Sequence, residues 1–112
     1  GSRVPDIAFF AQQRWDGYAA LTPDWEEKPL VLVPDLCVEV VSKTDNYVDV
    51  DDKVSEYLRS GVRLVWVVKP SSREIVVYAA DTAKWLSIDD LLTGGDVLPG
   101  FSVPVAEIFP KA

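Results

Sequence analysis

The sequence contains no histidine, and only one of its 112 residues, Cys37, is a cysteine. The lack of histidine excludes imidazole-based zinc sites, Ser-His triads and histidine general bases. A single cysteine excludes a disulfide framework, so we expect a reducing, cytoplasmic environment. No apolar run reaches the length of about 18 residues that a membrane span needs, and the first residues lack the charged and apolar regions of a signal peptide.

Positive charge is also scarce, because 11 Lys and Arg residues face 18 Asp and Glu residues, for a formal net charge of −7. Proteins that coat nucleic acid usually carry a basic surface, so this balance argues against that class. It argues less strongly against an enzyme that grips a few phosphates through a metal ion, because the metal supplies positive charge. The length predicts one small domain.

Apolar patterning predicts several short strands around one clear helix. We expect strands at 4–10, 36–41, 64–68 and 74–79. The segment 11–29 is polar and aromatic and contains turn-forming residues, so we expect a loop with at most a helical turn at 22–27. Towards the end of the chain, the sequence predicts a turn at 93–96 and a short helical turn at 105–109.

Between the second and third strands the apolar period changes to that of a helix. Val50, Val54 and Leu58 share one helical face. Arg59 suits the negative end of the helix dipole, and Gly61 is a natural stop. A helix that joins two apolar strands predicts a right-handed crossover between parallel strands. The predicted class is therefore α/β, bordering on α+β, with a mixed central sheet.

The most informative residue is Glu39, which interrupts an otherwise apolar strand. Burial of an ionised carboxylate is very costly without a partner, so a cation, a metal ion or a donated proton must accompany it. A purely structural ion pair with Lys or Arg is an equally weighted alternative. Asp35 lies on the same face by strand alternation, so it could reach the same cleft or instead serve the turn before the strand.

Two further residues could join Glu39. Asp6 stands at the start of the first strand, where an isolated acid is better explained as a polar strand end that faces water. Lys53 lies about 40° from Tyr57 on the helical wheel, at the border of the buried face. Its ammonium could therefore reach a cleft beside the sheet or simply extend into solvent.

Taken in order, these residues and their neighbours resemble a known pattern. The matching stretches are RVPDIAF (3–9), VPDLCVEVVS (33–42), KVSEY (53–57), GVRLVWVV (61–68) and VLPGFSVP (97–104). In order and spacing they resemble the Uma2 family of restriction-endonuclease-like proteins, which belongs to the PD-(D/E)XK nuclease superfamily. The resemblance runs to about residue 109 and implies a single nuclease-like domain over residues 1–112.

The resemblance implies metal-dependent hydrolysis of DNA phosphodiester bonds. Asp6 and Glu39 would hold Mg²⁺ or Mn²⁺, and the backbone carbonyl of Val40 would add a ligand. The superfamily lysine usually stands two residues after the second acid, where this chain has valine. The resemblance therefore assigns the catalytic lysine to Lys53 on the following helix, with Lys43 as its rival.

The family's domain usually begins earlier than this chain does, so the resemblance also implies missing N-terminal elements and an exposed apolar face that favours a homodimer. The alternative is a catalytically inactive member that keeps the fold as a binding or interaction module. The acidic net charge and the departures from the family pattern at Lys43 and Lys69 favour that alternative. In a purely structural module, Glu39 would be salt-bridged and have no affinity for metal.

Overall fold

The computed structural model describes residues 4–110, which form two sheets and three α-helices. The elements in chain order are β1 (Ile7–Phe9), α1 (Gln12–Leu21), a 3₁₀ turn (Trp25–Glu27), β2 (Leu36–Val40), α2 (Tyr47–Arg59), β3 (Leu64–Lys69), β4 (Glu74–Ala79), β5 (Thr82–Leu86), β6 (Leu91–Gly94), β7 (Leu98–Pro104) and α3 (Val105–Ile108).

The main sheet has five strands in the order β1-β2-β3-β4-β5. Only β2 and β3 are parallel, and the other neighbours are antiparallel. Parallel neighbours cannot be joined by a hairpin, and α2 supplies the connection between them. The predicted α/β class, mixed sheet and crossover helix are therefore confirmed.

Both faces of β2 and β3 are covered, which explains their continuous apolar sequences. On one face, the sheet packs against α2 through Cys37, Val54, Tyr57, Val62, Val65, Val67 and Val76. On the other face, it packs against β6, β7 and α3 through Leu36, Val38, Trp66, Ile75, Leu86, Leu92, Val97, Val105 and Phe109. Glu39 lies on the face that α2 covers, because side chains alternate along the strand and Cys37 precedes it by two residues.

Helix α1 contradicts the prediction of a loop over 11–29. It has no buried residue, so its sequence lacks the apolar period by which a helix is recognised. Aromatic rings anchor it instead, because Trp15 contacts the rings of Phe10, Tyr18 and Trp25. The helical turn expected at 22–27 is confirmed by the 3₁₀ turn. Within residues 4–110, no helix has the length and apolar character needed to cross a membrane.

Strands β5, β6 and β7 were not predicted, because most of their residues are exposed and the last two contain Gly or Pro. The turn expected at 93–96 is part strand, since β6 runs to Gly94. A Cβ atom at Gly94 would clash with the Cβ of Leu98, so the hairpin needs a glycine there. The short helical turn expected near the end of the chain is confirmed by α3.

A groove of about 580 Å³ runs beside the edge strand β1, and its lining is mostly apolar. Two stretches, 4–10 and 30–34, form much of its wall, and Val4 and Val31 are among the most exposed apolar residues. An apolar groove beside a sheet edge is a feature that proteins often cover. That further N-terminal elements or a second copy of the chain cover this groove stays a prediction.

Candidate active site

Glu39 lies near the end of β2, and only 5% of its surface is exposed. The hydroxyl of Tyr57 donates a hydrogen bond to Oε1 at 2.7 Å. The ammonium of Lys53 lies 3.7 Å from Oε2. Both oxygens of the buried carboxylate therefore have a partner, and both partners come from α2. This meets the requirement that a buried carboxylate be compensated.

The sequence of α2 places these two partners together. Lys53 and Tyr57 are four residues apart, so they project from the same side of the helix one turn apart. The side chain of Asn46 caps the start of the helix by accepting a hydrogen bond from the Val48 amide. Gly61, with φ of 104°, follows its end and permits the left-handed turn into β3.

The two partners bind Glu39 differently. The Tyr57 hydrogen bond is short and buried. The separation of 3.7 Å between Lys53 and Glu39 exceeds hydrogen-bond length, and 35% of the Lys53 side chain is exposed. The tyrosine therefore fixes the carboxylate, whereas the lysine balances its charge from the side that faces solvent.

Asp6 reaches the same end of β2 from the neighbouring strand. The antiparallel register of β1 and β2 pairs Ile7 with Val38, so Asp6 comes level with Glu39. The Asp6 carboxylate accepts a hydrogen bond from the Val40 amide at 2.7 Å. The structure thus places Asp6 beside Val40 and Lys53 beside Glu39, and that these four residues form one active site stays a prediction.

Oxygen donors dominate this constellation, and they suit a hard divalent cation. Mg²⁺ is commonly held by one or two carboxylates and keeps several waters. Asp6, Glu39 and the carbonyl of Val40 would supply such a donor set. Among the described residues, no group of three or more His, Cys, Asp or Glu side chains is arranged to hold a metal ion. Any metal held here would therefore depend on water and backbone oxygen as well as on the two acids.

Asp35 is buried on the same face of β2 but belongs to a different arrangement. Its carboxylate lies 2.9 Å from the Arg14 guanidinium and accepts a hydrogen bond from the Ala11 amide at 2.8 Å. Strand geometry places it about 13 Å along β2 from Glu39. The structure therefore does not bring Asp35 to Glu39 and Lys53, and its contacts fasten α1 to the sheet.

Lys43 lies in the exposed loop between β2 and α2. The loop is shaped by its neighbours, since the Ser42 amide donates to the Asp45 carboxylate at 2.7 Å. Within residues 4–110, the lysine in ion-pair contact with Glu39 is Lys53. The geometry therefore favours Lys53 over Lys43 for the predicted lysine role.

Sequence reasoning missed the part that Tyr57 plays, because a tyrosine on the apolar face of a helix reads as core. It is indeed buried, but its hydroxyl is directed at Glu39. Two observations could have indicated this bond from the sequence. Tyr57 lies one helical turn from Lys53, and a buried tyrosine hydroxyl usually needs a polar partner.

Cys37 lies two residues before Glu39 on the same face of β2. Burial, and secondarily the negative charge of Glu39, raise the pKa of this thiol from 9.0 to about 11. The thiolate is the nucleophilic form, so Cys37 is inert near neutral pH. The chemistry of this site therefore rests on oxygen and nitrogen groups.

The comparisons with known proteins agree with this architecture. Residues 1–106 match the family model Uma2, described as "Putative restriction endonuclease". The fold is similar to the crystal structure of "a putative nuclease belonging to DUF820" from Anabaena variabilis ATCC 29413, with a TM-score of 0.76 and 19% identity. That similarity covers 96% of this chain and 59% of the other, so this chain spans about three fifths of its length. No curated protein matches. Because the family model covers most of the sequence, this chain belongs to the Uma2 family.

Proposed function

We propose that this protein is a metal-dependent endonuclease that hydrolyses phosphodiester bonds in DNA. The observation that carries the proposal is the buried Glu39, held by Tyr57 and Lys53 at the end of the sheet where Asp6 meets Val40. Two acids and a backbone carbonyl can hold a divalent cation that activates water, and a lysine can stabilise the negative charge that develops on phosphate.

Each residue has a distinct part in this proposal. Asp6, Glu39 and the Val40 carbonyl would hold Mg²⁺ or Mn²⁺, which when bound lowers the pKa of a water and shields phosphate charge. Tyr57 fixes the orientation of the Glu39 carboxylate. The Lys53 ammonium, at the solvent side of the cleft, would stabilise the negative charge that develops on the phosphate.

The proposed setting is cytoplasmic. Cys37 is buried and forms no disulfide, and an unpaired thiol suits a reducing compartment.

The direct test is nicking of supercoiled plasmid DNA in the presence of Mg²⁺ or Mn²⁺. We expect Glu39→Gln and Lys53→Ala to lower the rate about a hundredfold or more, because the first removes a ligand charge and the second removes the stabilising cation. Glu26→Gln is the matched control, since Glu26 is exposed in the 3₁₀ turn and lies outside the site. Equal rates for Glu39→Gln and the wild type would refute the proposal.

A second candidate function is a catalytically inactive binding module with the same fold. The observation that favours it is that protein groups already contact both Glu39 oxygens, as a structural ion pair would require. The net charge of −7 points the same way.

Metal-dependent thermal stability separates the two candidates. If the site binds metal, Mg²⁺ should stabilise the wild-type fold by about 2.7 kcal/mol at a hundred times the dissociation constant. Glu39→Gln should abolish this response, and Lys53→Ala should keep it because Lys53 is not a ligand. Melting curves recorded over tenfold steps of Mg²⁺ or Mn²⁺ provide the measurement. A wild type that ignores both ions, together with a strongly destabilised Glu39→Gln, would favour the binding module.

A further inference from the structure

At the end of β3, the ammonium of Lys69 lies between two aromatic rings. It is 4.0 Å from the ring centroid of Trp85 and 5.3 Å from that of Tyr47. Both rings are open to solvent, since Tyr47 is 71% exposed and Trp85 is 56% exposed. No carboxylate within residues 4–110 forms an ion pair with Lys69. The three side chains therefore present a cation and two accessible ring surfaces.

This group, which we call the aromatic–lysine surface (Tyr47, Lys69 and Trp85), lies on the same side of the sheet as the candidate active site. Lys69 follows Val67 by two residues, and Val67 pairs with Glu39. By strand geometry, the Cα atoms of Lys69 and Glu39 are therefore roughly 8 Å apart.

The other two members reach this side from separate elements. Trp85 pairs with Val76, which packs beneath α2, so its ring projects from that face. Tyr47 is the first residue of α2, about 9 Å along the helix axis from Lys53. One strand of DNA could touch the aromatic–lysine surface and the active-site cleft together.

We propose that the aromatic–lysine surface binds an unpaired, single-stranded segment of DNA next to the bond that is cut. This inference rests on the proposed function and specifies the form of its substrate. Exposed rings stack with nucleobases of any sequence, and a neighbouring ammonium pairs with phosphate.

The chemistry of the surface selects unpaired DNA over duplex. Bases inside a duplex are stacked on each other, so they reach a protein ring only after they are unstacked. Duplex binding relies mainly on positive charge along the phosphate backbone, whereas this chain has a net charge of −7. Stacking on Tyr47 and Trp85 supplies attraction that does not depend on a basic groove.

Fluorescence anisotropy provides the test, with a labelled oligothymidylate and a labelled duplex of equal length. The measurements are made in EDTA and at low salt, so that neither metal binding nor cleavage contributes. We expect the wild type to bind the single strand more tightly than the duplex. Tyr47→Ala and Trp85→Ala should each weaken single-strand binding about 5- to 100-fold, because each removes one stacking surface.

Three controls sharpen the measurement. Trp85→Phe should retain most of the affinity, because it keeps a ring. Leu21→Ala should bind like the wild type, since Leu21 is 87% exposed on α1, away from the surface. Lys69→Gln should reduce the dependence of log affinity on log salt concentration by about 0.7, the value for one phosphate contact on a single strand.

Wild-type affinity in both alanine variants would overturn the proposal, and so would a preference for duplex or binding to neither DNA. Unchanged melting temperatures of the variants would show that a loss of affinity is not a loss of fold. The nicking assay with Glu39→Gln remains separate. If Trp85→Ala nicks plasmid DNA at the wild-type rate, the nuclease proposal stands and the aromatic–lysine surface has no part in cleavage. If DNA binding depends on the two rings but no nicking occurs, the surface stands and the nuclease proposal fails.

Discussion

Two buried acids, Asp35 just before strand β2 and Glu39 within it, have surroundings that differ in a way that separates structure from chemistry. Asp35 lies 2.9 Å from Arg14 and also accepts a backbone amide, so its charge is held tightly within the fold. Glu39 has a short bond from a neutral tyrosine and a lysine 3.7 Å away. The tightly paired Asp35 serves packing, whereas Glu39, with its cation further away on the solvent side, is the acid that we propose as a metal ligand.

The largest expected effect comes from removing the tightly paired acid. Asp35→Ala should lower the free energy of unfolding by about 3 kcal/mol, because the Ala11 amide loses its acceptor and Arg14 keeps only its hydrogen bond to the Val33 carbonyl. Glu39→Gln should change it by about 1 kcal/mol or less, because the amide oxygen still accepts from Tyr57 and one buried charge is lost. Urea unfolding at neutral pH measures both values. Equal losses of unfolding free energy in the two variants would show that Asp35 and Glu39 do not differ in this way.

Cys37 lies between the two acids, and the pKa of its thiol responds to burial and to the charge of Glu39. The pKa of its thiol is about 11 in the folded chain, against 9.0 as its ordinary value. The unfolded chain therefore loses this proton first, so the contribution to stability is complete below pH 9 and is lost as pH rises towards 11. We expect the wild type to lose about 2 kcal/mol more than Cys37→Ala across this interval.

Urea unfolding at pH 8, 9, 10 and 11 provides the measurement, and Cys37→Ala keeps every other group that titrates in this range. Glu39→Gln should narrow the pH range over which this stability is lost, because the Glu39 charge is the second cause of the raised Cys37 pKa. If the free energy of unfolding falls equally with pH in the wild type and in Cys37→Ala, the pKa of the buried thiol is not raised.

The smallest expected effect concerns the tyrosine that holds Glu39. Tyr57→Phe should cost about 1 kcal/mol of stability, because Oε1 of Glu39 loses its hydrogen-bond donor. It should also slow nicking while the Mg²⁺ response in melting curves persists, because the ligand remains but is no longer oriented. Tyr78→Phe is a matched control on β4. If Tyr57→Phe and Tyr78→Phe have the same stability and the same nicking rate, Tyr57 does not position Glu39.

The central strands β2 and β3 and the helix between them could be predicted from the sequence, because burial requires apolar residues at regular positions there. The apolar runs of β2 and β3, and the helical period between them, led to the crossover and to Glu39 as an acid in a covered strand. The position of Lys53 at the edge of the buried face left both a cleft and solvent open to it, and the family resemblance assigned it to the acid that it contacts.

The regions that escaped prediction are those that burial shapes least. Helix α1 buries no residue, so no period marked it, and the partner of Asp35 lies within it at Arg14. The strands β5 to β7 are largely exposed and interrupted by Gly or Pro, so their pairing depends on contacts distant in sequence. Tyr57 was recognised as core, yet its hydroxyl forms a specific bond that no pattern of apolar residues encodes.

The hydrogen bond between Asp6 and Val40 also bears on the order in which the site assembles during folding. It joins residues 34 positions apart, whereas Glu39 and Tyr57 are 18 apart. Closing the longer loop costs more chain entropy, so contacts between β2 and α2 are favoured to form before β1 docks at the sheet edge. We therefore expect the bond between Glu39 and Tyr57 to form early and Asp6 to join late, so that a partly folded molecule would have Glu39 in place without the second acid of the proposed metal site.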